Sequence, residues 1–296
     1  MNTGTSGEVT SDATPQVFNS RKNKAEKLTN ADEKEVLDFL SLRPIHTVIL
    51  AGWIRDHGIV SDEHRGTFYG CRDAKRNISG VAMVGTNLLV EARTEEALEA
   101  FAICARDCPD VRMIFAEEEK LLAFWRHFSN GSPMPSVSRH QLIASGSSAA
   151  GDIESVDELR VATPHDLDQI VQAHAQMVFV ETGIDPLKSD AEGFRMRCSK
   201  RVNNGRVWVW VKNGELLFKT DIVSVTPEAT YFEGVWVNPK QRSKGVATRC
   251  LNTLCNQLLS GSNVITGFLD GVHSLSNSVY RKTGFIDAAR YSKIFL

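Results

Sequence analysis

The chain has 296 residues, 42% of them apolar and 24% charged, with 34 basic against 36 acidic side chains and a formal net charge of -2. That balance excludes a mostly disordered polypeptide and leaves no global positive field to hold nucleic acid or an anionic membrane. No apolar run approaches the roughly 20 residues of a membrane span, and the polar N-terminus lacks the apolar core of a secretory signal. A cytoplasmic protein of about two domains is expected. The six cysteines (Cys71, Cys104, Cys108, Cys198, Cys250, Cys255) show no C-x-x-C pair and no partnered histidine spacing. Neither a metal site nor a disulfide framework is therefore expected.

Residues 1 to 28, rich in Ser, Thr, Asn, Lys and Gly, read as a loose tail. Two short helices follow, one around Val36, Leu37 and Leu40 and one around Ile45, Val48, Ile49 and Trp53, with Arg43-Pro44 breaking the chain between them. Strands are predicted over 67–72, 80–84 and 87–90, a helix capped by Thr94 over 94–106, a strand over 111–115 and a helix over 117–128. Two stretches rich in Gly, Pro and Ser, 129–135 and 145–151, bracket a domain boundary, so residues 29 to 145 form one unit and 152 to 296 a second.

In the second unit, strand 159–162 leads into Thr163-Pro164, an N-cap followed by proline at the first helical position. Leu167, Ile170, Val171, His174, Met177 and Val178 then recur at helical spacing, which places His174 among packed positions rather than as a base. A helix over 189–202 precedes a hairpin around Asn213-Gly214, whose two positions need positive φ. A strand over 230–237, a long amphipathic helix from 245 to 260, a strand over 264–269, a short helix over 274–282 and closing strand material over 285–295 complete the order. Cys250 and Cys255 lie on the apolar face of the long helix and read as small hydrophobes. The tryptophans Trp208, Trp210 and Trp236 read as core.

The chemistry is concentrated where the strand Tyr231-Phe-Glu-Gly-Val-Trp-Val237 runs through Gln241-Arg-Ser-Lys-Gly245-Val-Ala247 into the long helix. Successive backbone N–H groups at a helix N-terminus, with the positive end of the helix dipole behind them, make an anion site fit for a pyrophosphate. Gly245 and Ala247 keep that approach clear, and Arg242 and Lys244 add positive charge. The Gly-Lys-Ser/Thr order of a nucleotide P-loop is absent.

Here the chain resembles the GNAT superfamily, whose Arg/Gln-x-x-Gly-x-Gly/Ala signature is matched by Arg242-x-x-Gly245-x-Ala247. A second matching segment is Asn277-Ser-Val-Tyr280-Arg-Lys-Thr-Gly284-Phe285. The likeness covers about 157 to 296, and residues 29 to 145 look like the degenerate GNAT-like N-terminal half of a two-part subgroup, without the signature loop. The resemblance implies an α/β (α+β) fold of tandem domains, each a mixed, mostly antiparallel sheet flanked by helices. It implies acetyl-CoA as co-substrate and no metal, with Val235, Trp236 and Val237 along the pantetheine arm. Arg242, Ser243, Lys244, Gly245, Val246, Ala247 and Thr248 would lie at the pyrophosphate, and Asn277 nearby. The implied reaction is attack of a primary amine, from a small molecule or peptide, on the thioester, in the cofactor-bound second half only.

In that reaction Tyr280 is the expected acid for the departing thiolate, and Glu233, on one strand face with Tyr231, Val235 and Val237 by alternation, the expected base or water-relaying carboxylate. Glu181, after the first helix of the second unit, stands where relatives build the acceptor wall. Where many relatives carry asparagines ahead of the tyrosine, this chain has Asp270 and His273. A silent acyl-CoA sensor is the rival reading, and the first half is open to use as a homodimerisation or acceptor-recruiting module.

Overall fold

The computed structural model describes residues 24–146, 153–261, 263–270 and 274–296. The first half runs β1 (Glu26–Lys27), α1 (Glu33–Ser41), α2 (Pro44–His57), β2 (Gly66–Arg72), β3 (Ile78–Gly85), β4 (Asn87–Ala92), α3 (Glu95–Arg106), β5 (Met113–Glu117), α4 (Glu118–Phe128) and β6 (Val137–Ser145). The second repeats the pattern with β7 (Arg160–Val161), α5 (Leu167–Thr182), α6 (Pro186–Ser189), α7 (Ala191–Asn203), β8 (Val207–Lys212), β9 (Glu215–Val225), β10 (Ala229–Val237), α8 (Val246–Leu258), β11 (Val264–Asp270), α9 (Ser274–Lys282) and β12 (Ile286–Phe295). No helix among the described residues is long and apolar enough to cross a membrane.

Local chemistry explains many boundaries. Thr94 Oγ1 accepts the Ala97 N–H at 3.2 Å and starts α3. Asp166 accepts the Thr163 N–H at 2.7 Å and the forked Arg160 guanidinium at 2.7 and 3.0 Å. That Arg160 pairing, against the opposing effect of burial and helped by Thr163, draws the Asp166 carboxyl down to about 2. Asn213 and Gly214 take φ of 52° and 76° and turn β8 into β9.

Each half has an antiparallel meander followed by a parallel strand, β5 beside β4 and β11 beside β10. The halves do not keep separate sheets. Among the described residues there is one sheet, in the order β1-β2-β3-β4-β5-β12-β6-β11-β10-β9-β8-β7. The slot beside β5 in the first half is filled by β12 of the second, and the slot beside β11 in the second is filled by β6 of the first. The two exchanged strands pair antiparallel at the centre, from Ile286 opposite Ala144 to Ile294 opposite Val137.

Two sequence expectations change. The stretch between the two flexible segments has no predicted element, yet it is β6, in the middle of the sheet. The expected tail, of which 1–23 lie outside the described residues, ends inside the fold. There Glu26 and Lys27 pair with β2, Leu28 is 4% exposed against Gly70, and its N–H donates to the Phe68 carbonyl at 3.0 Å.

Helices α3 and α4 bury Leu98, Phe101, Leu121 and Phe124 in one core of the first half. Helices α1 and α2 bury Val36, Leu40, Leu50 and Ile54 in a second. The α8 core of the second half takes in Cys250, Leu251, Leu254 and Cys255. Burial pushes both thiols up to about 12, so they are neutral apolar groups rather than nucleophiles.

Helix α2 also leans on the other half, where Val48 packs with Ala229 and Tyr231 of β10. A Cβ built on Gly52 in this helix would stand 2.5 Å from Ser224 Cβ and 3.2 Å from Ser224 Cα of β9. In an unobstructed helix interior, Gly→Ala stabilises by about 0.5–1 kcal/mol. Here the obstacle is a strand backbone, and overpacking of about 1–3 kcal/mol outweighs that gain. Gly52→Ala is expected to lower the thermal midpoint; a rise would show that helix and strand are not in this contact.

Candidate active site

Strands β10 and β11 pair in parallel only from Ala229–Val264 to Tyr231–Thr266. Beyond Tyr231 they separate. Phe232, 2% exposed, wedges its ring over Gly267, where a Cβ would lie 3.1 Å from two ring carbons, and packs on Phe285 and Tyr280. The freed edge of β10 opens on a cavity of about 690 Å3 that includes Val235, Trp236, Val237, Arg242, Ala247 and Tyr280 in its lining. A mostly apolar slot along an unpaired strand edge suits an extended arm carrying amide groups.

At one end of this slot is the turn into α8. Ser243 and Gly245 both have positive φ, 60° and 77°, which aligns successive amides ahead of the helix. Gly245 is the N-cap and no side chain caps the helix; its carbonyl accepts the first intrahelical bond, from the Arg249 N–H, at 3.1 Å. The amides of Val246, Ala247 and Thr248 precede that bond and need an outside acceptor. A Cβ at residue 245 would meet nothing within 4 Å, so no neighbouring group crowds the turn at that point. Arg242 Nε donates to the Val237 carbonyl at 3.3 Å and lines the slot, whereas Lys244 reaches Gln241 at 3.3 Å. These features fit a pyrophosphate.

The first half lacks them. Only Arg93 and Thr94 join β4 to α3, the Thr94 hydroxyl already takes the Ala97 amide, and Glu95 and Glu96 occupy the first turn. Its own strand gap, beside β4 and β5, holds ion pairs instead. Arg43 forks onto Glu91 at 3.0 Å and Glu117 at 2.9 Å, and Lys120 donates to Glu91 at 2.7 Å.

Tyr280 lines the slot, and burial pushes its phenol well above the ordinary value, so it is a hydroxyl at any physiological pH and can give a proton. Asn277 does not line the slot, but its Oδ1 is buried without a partner among the described residues. His273 lies outside the described residues. Glu181 lines the same slot and pairs with Lys293 at 3.3 Å.

Glu233 is placed differently from its strand-mates. Alternation puts it on one face with Tyr231, Val235 and Val237, but Gly234 has φ 66° and the register shifts between Glu233 and Trp236. The bulge keeps Glu233 with Tyr231 and turns Val235 and Val237 toward the slot. Glu233 faces a second cavity, of about 850 Å3, between the two halves. Its side chain keeps exposed surface, yet the protein packed around it desolvates the carboxyl and raises its pKa. Arg201 opposes the rise and Asp221 adds to it. The Tyr231 hydroxyl donates to Glu233 Oε2 at 3.2 Å.

The two cavities share His140 of β6 and Lys293 of β12, the exchanged strands. A carboxylate therefore stands on one side of these shared residues and a phenol on the other. Sequence reading missed the buried group beneath Glu233. Lys219, 1% exposed, donates to Asp221 Oδ2 at 2.7 Å, and Arg201 reaches the same oxygen at 3.1 Å. A charged pair on alternate positions of a strand was the available signal. His174 lies beside this group, stacked on Phe194 at 5.3 Å, and burial, the leading cause, draws it down to about 4, so it is a neutral packed ring.

Residues 173–285 match the model of the Acetyltransferase (GNAT) family. No curated protein matches the sequence at a significant level. Among solved structures, a Drosophila protein superposes with a TM-score of 0.66 at 12% identity, covering 93% of this chain and 99% of that one. A GNAT-family acetyltransferase from Colwellia psychrerythraea gives 0.59 at 12%, covering 92% and 99%. A tandem GNAT protein from the clavulanic acid biosynthesis pathway gives 0.57 at 13%, covering 92% and 98%. Residues 173–285 thus carry the likeness to the GNAT acetyltransferase family, in a chain that shares its fold with a tandem GNAT protein.

Proposed function

We propose that this protein transfers an acetyl group from acetyl-CoA to a primary amine, by direct attack in a ternary complex. The observation that carries the reading is that two cavities, one bearing an anion-ready helix end and Tyr280, the other bearing Glu233, share His140 and Lys293 in their linings. In this reading the amides of residues 243 to 248 and Arg242 hold the pyrophosphate, and the free edge of β10 at Val235 and Val237 pairs with the pantetheine arm. Trp236 and Ala247 wall the slot, and Asn277 Oδ1 supplies an unused acceptor. The first half, capped and acidic at the equivalent helix end, holds no acyl-CoA.

The amine enters from the cavity between the halves. Its nitrogen forms a bond to the acyl carbon, the carbon–sulfur bond breaks, Glu233 takes the N–H proton directly or through water, and Tyr280 gives its proton to the departing thiolate. A raised carboxyl pKa brings the base closer to the working pH, and a raised phenol pKa keeps the acid protonated until a thiolate forms.

Three outcomes test this reading. Gly245→Val forces a β-branched residue into positive φ, at a cost of order 1–3 kcal/mol, and is expected to weaken acetyl-CoA binding about tenfold or more by calorimetry. Tyr280→Phe is expected to lower kcat by about 10²–10⁴ with little change in acetyl-CoA Kd; unchanged turnover removes the acid assignment. For Glu233, whose pKa is raised, kcat/KM is expected to climb with pH as the carboxyl loses its proton. In Glu233→Gln that limb disappears from the pH-rate profile, and its survival in the variant assigns it elsewhere. Uptake of acetyl-CoA with no turnover on any amine marks a sensor instead of a transferase.

A further inference from the structure

Resting on that transferase reading, the inter-half cavity also identifies the acceptor more closely. Its floor is a run of aromatic side chains that crosses from one half to the other. Phe115 of β5 meets Phe268 of β11 edge-on at 4.8 Å, Phe268 lies 5.8 Å from Tyr231 of β10, and Phe115 meets His140 of β6 at 5.7 Å. Glu233 stands at the end of this run, joined to it by the Tyr231 hydroxyl. The first half adds Trp53, Met83, Leu89 and Met113 to the lining.

Much of the charge around the cavity is already neutralised across the gap. Arg206 of the second half forks onto Asp56 of α2 at 2.7 and 2.8 Å, Lys200 of α7 pairs with Glu63, and Arg201 is held by Asp221 at 3.1 Å. Arg197 is turned to Asp190 and Lys293 to Glu181, both outside the cavity. Along the floor itself a ligand meets aromatic surface leading to one carboxylate, while His57, His64, Arg65, Asn87 and Asn204 add polar groups elsewhere in the lining. Two of these ion pairs, Arg206–Asp56 and Lys200–Glu63, bridge the two walls.

We propose that the acceptor is a primary amine on an apolar or aromatic body, lying on this floor with its nitrogen at Glu233, and that Phe115 of the first half is a specificity-determining residue of the transferase. Roughly 850 Å3 is room for a body of many heavy atoms, far more than a two-carbon amine needs. The first half is then one wall of the active site.

The test uses the full chain with acetyl-CoA and a series of n-butylamine, n-hexylamine, n-octylamine and 2-phenylethylamine, set against ethanolamine and glycine as polar probes. The expected result is a kcat/KM that rises about fourfold per added methylene and is lowest for the polar probes. Phe115→Ala is expected to raise the hexylamine KM about tenfold while leaving acetyl-CoA Kd unchanged, and Phe115→Leu to recover most of the loss. If Phe115→Ala does not fold, Trp53→Leu, also in the first half, is read in the same way. A flat series, a preference for glycine or ethanolamine, or a folded Phe115→Ala with unchanged KM overturns the proposal and leaves the transferase reading in place. Binding of acetyl-CoA with no turnover on any probe sinks the transferase reading, and this one with it.

Discussion

The antiparallel pairing of β6 with β12 is the constraint on which the rest of the molecule depends. Without the exchange, β5 and β11 would each present a row of unpaired backbone groups, an arrangement that costs stability and invites aggregation. With it, both strands are internal and two repeats become one sheet. The same pairing positions the chemistry. His140 comes from β6 and Lys293 from β12, two residues beyond the Tyr291–His140 pair, and these are the side chains common to both cavities. The boundary between the cavities is therefore made of a strand from each half.

The repeat supplies its own comparison for Glu233. In the second half the last β10–β11 pair is Tyr231–Thr266, and in the first the last β4–β5 pair is Leu89–Phe115. Glu233 and Glu91 each follow by two residues, so they hold equivalent places where the parallel strands part. Glu91, 3% exposed, is met by Arg43, Arg93 and Lys120. Breaking such a buried network leaves an uncompensated charge, which makes it a fixed structural element. Glu233 accepts from one neutral hydroxyl, faces a cavity, and has its carboxyl raised by desolvation. Similar backbones thus give one carboxylate locked in ion pairs and another free to exchange a proton.

Features written in adjacent residues were legible in the sequence. The positive φ at Asn213-Gly214, the Thr94 cap and the glycine before α8 each follow from local sterics or hydrogen bonding. Strand β6 was not legible. Leu142, Ile143 and Ala144 are all buried because a central strand is covered on both faces, so the alternation that marks a half-exposed strand is lost, and Gly, Pro and Ser flank the segment. The bulge at Gly234 also escaped, because a glycine in a strand marks a bulge without saying which neighbours turn. The cavity between the halves depends on contacts between residues more than a hundred positions apart, such as Phe115 and Phe268, and no local pattern encodes those.

The first half lacks the uncapped helix end of the second, its α3 being capped by Thr94, yet the second half cannot dispense with it. Removing it takes away β6, and with it the partner of β11 from Ile265 to Asp270 and of β12 from Ile286 to Ile294. It also takes away α2, whose Val48 packs on Ala229 and Tyr231 and whose Gly52 lets the helix approach β9 to contact distance. Tyr231 is the residue that hydrogen-bonds Glu233, so the loss reaches the candidate base in two steps.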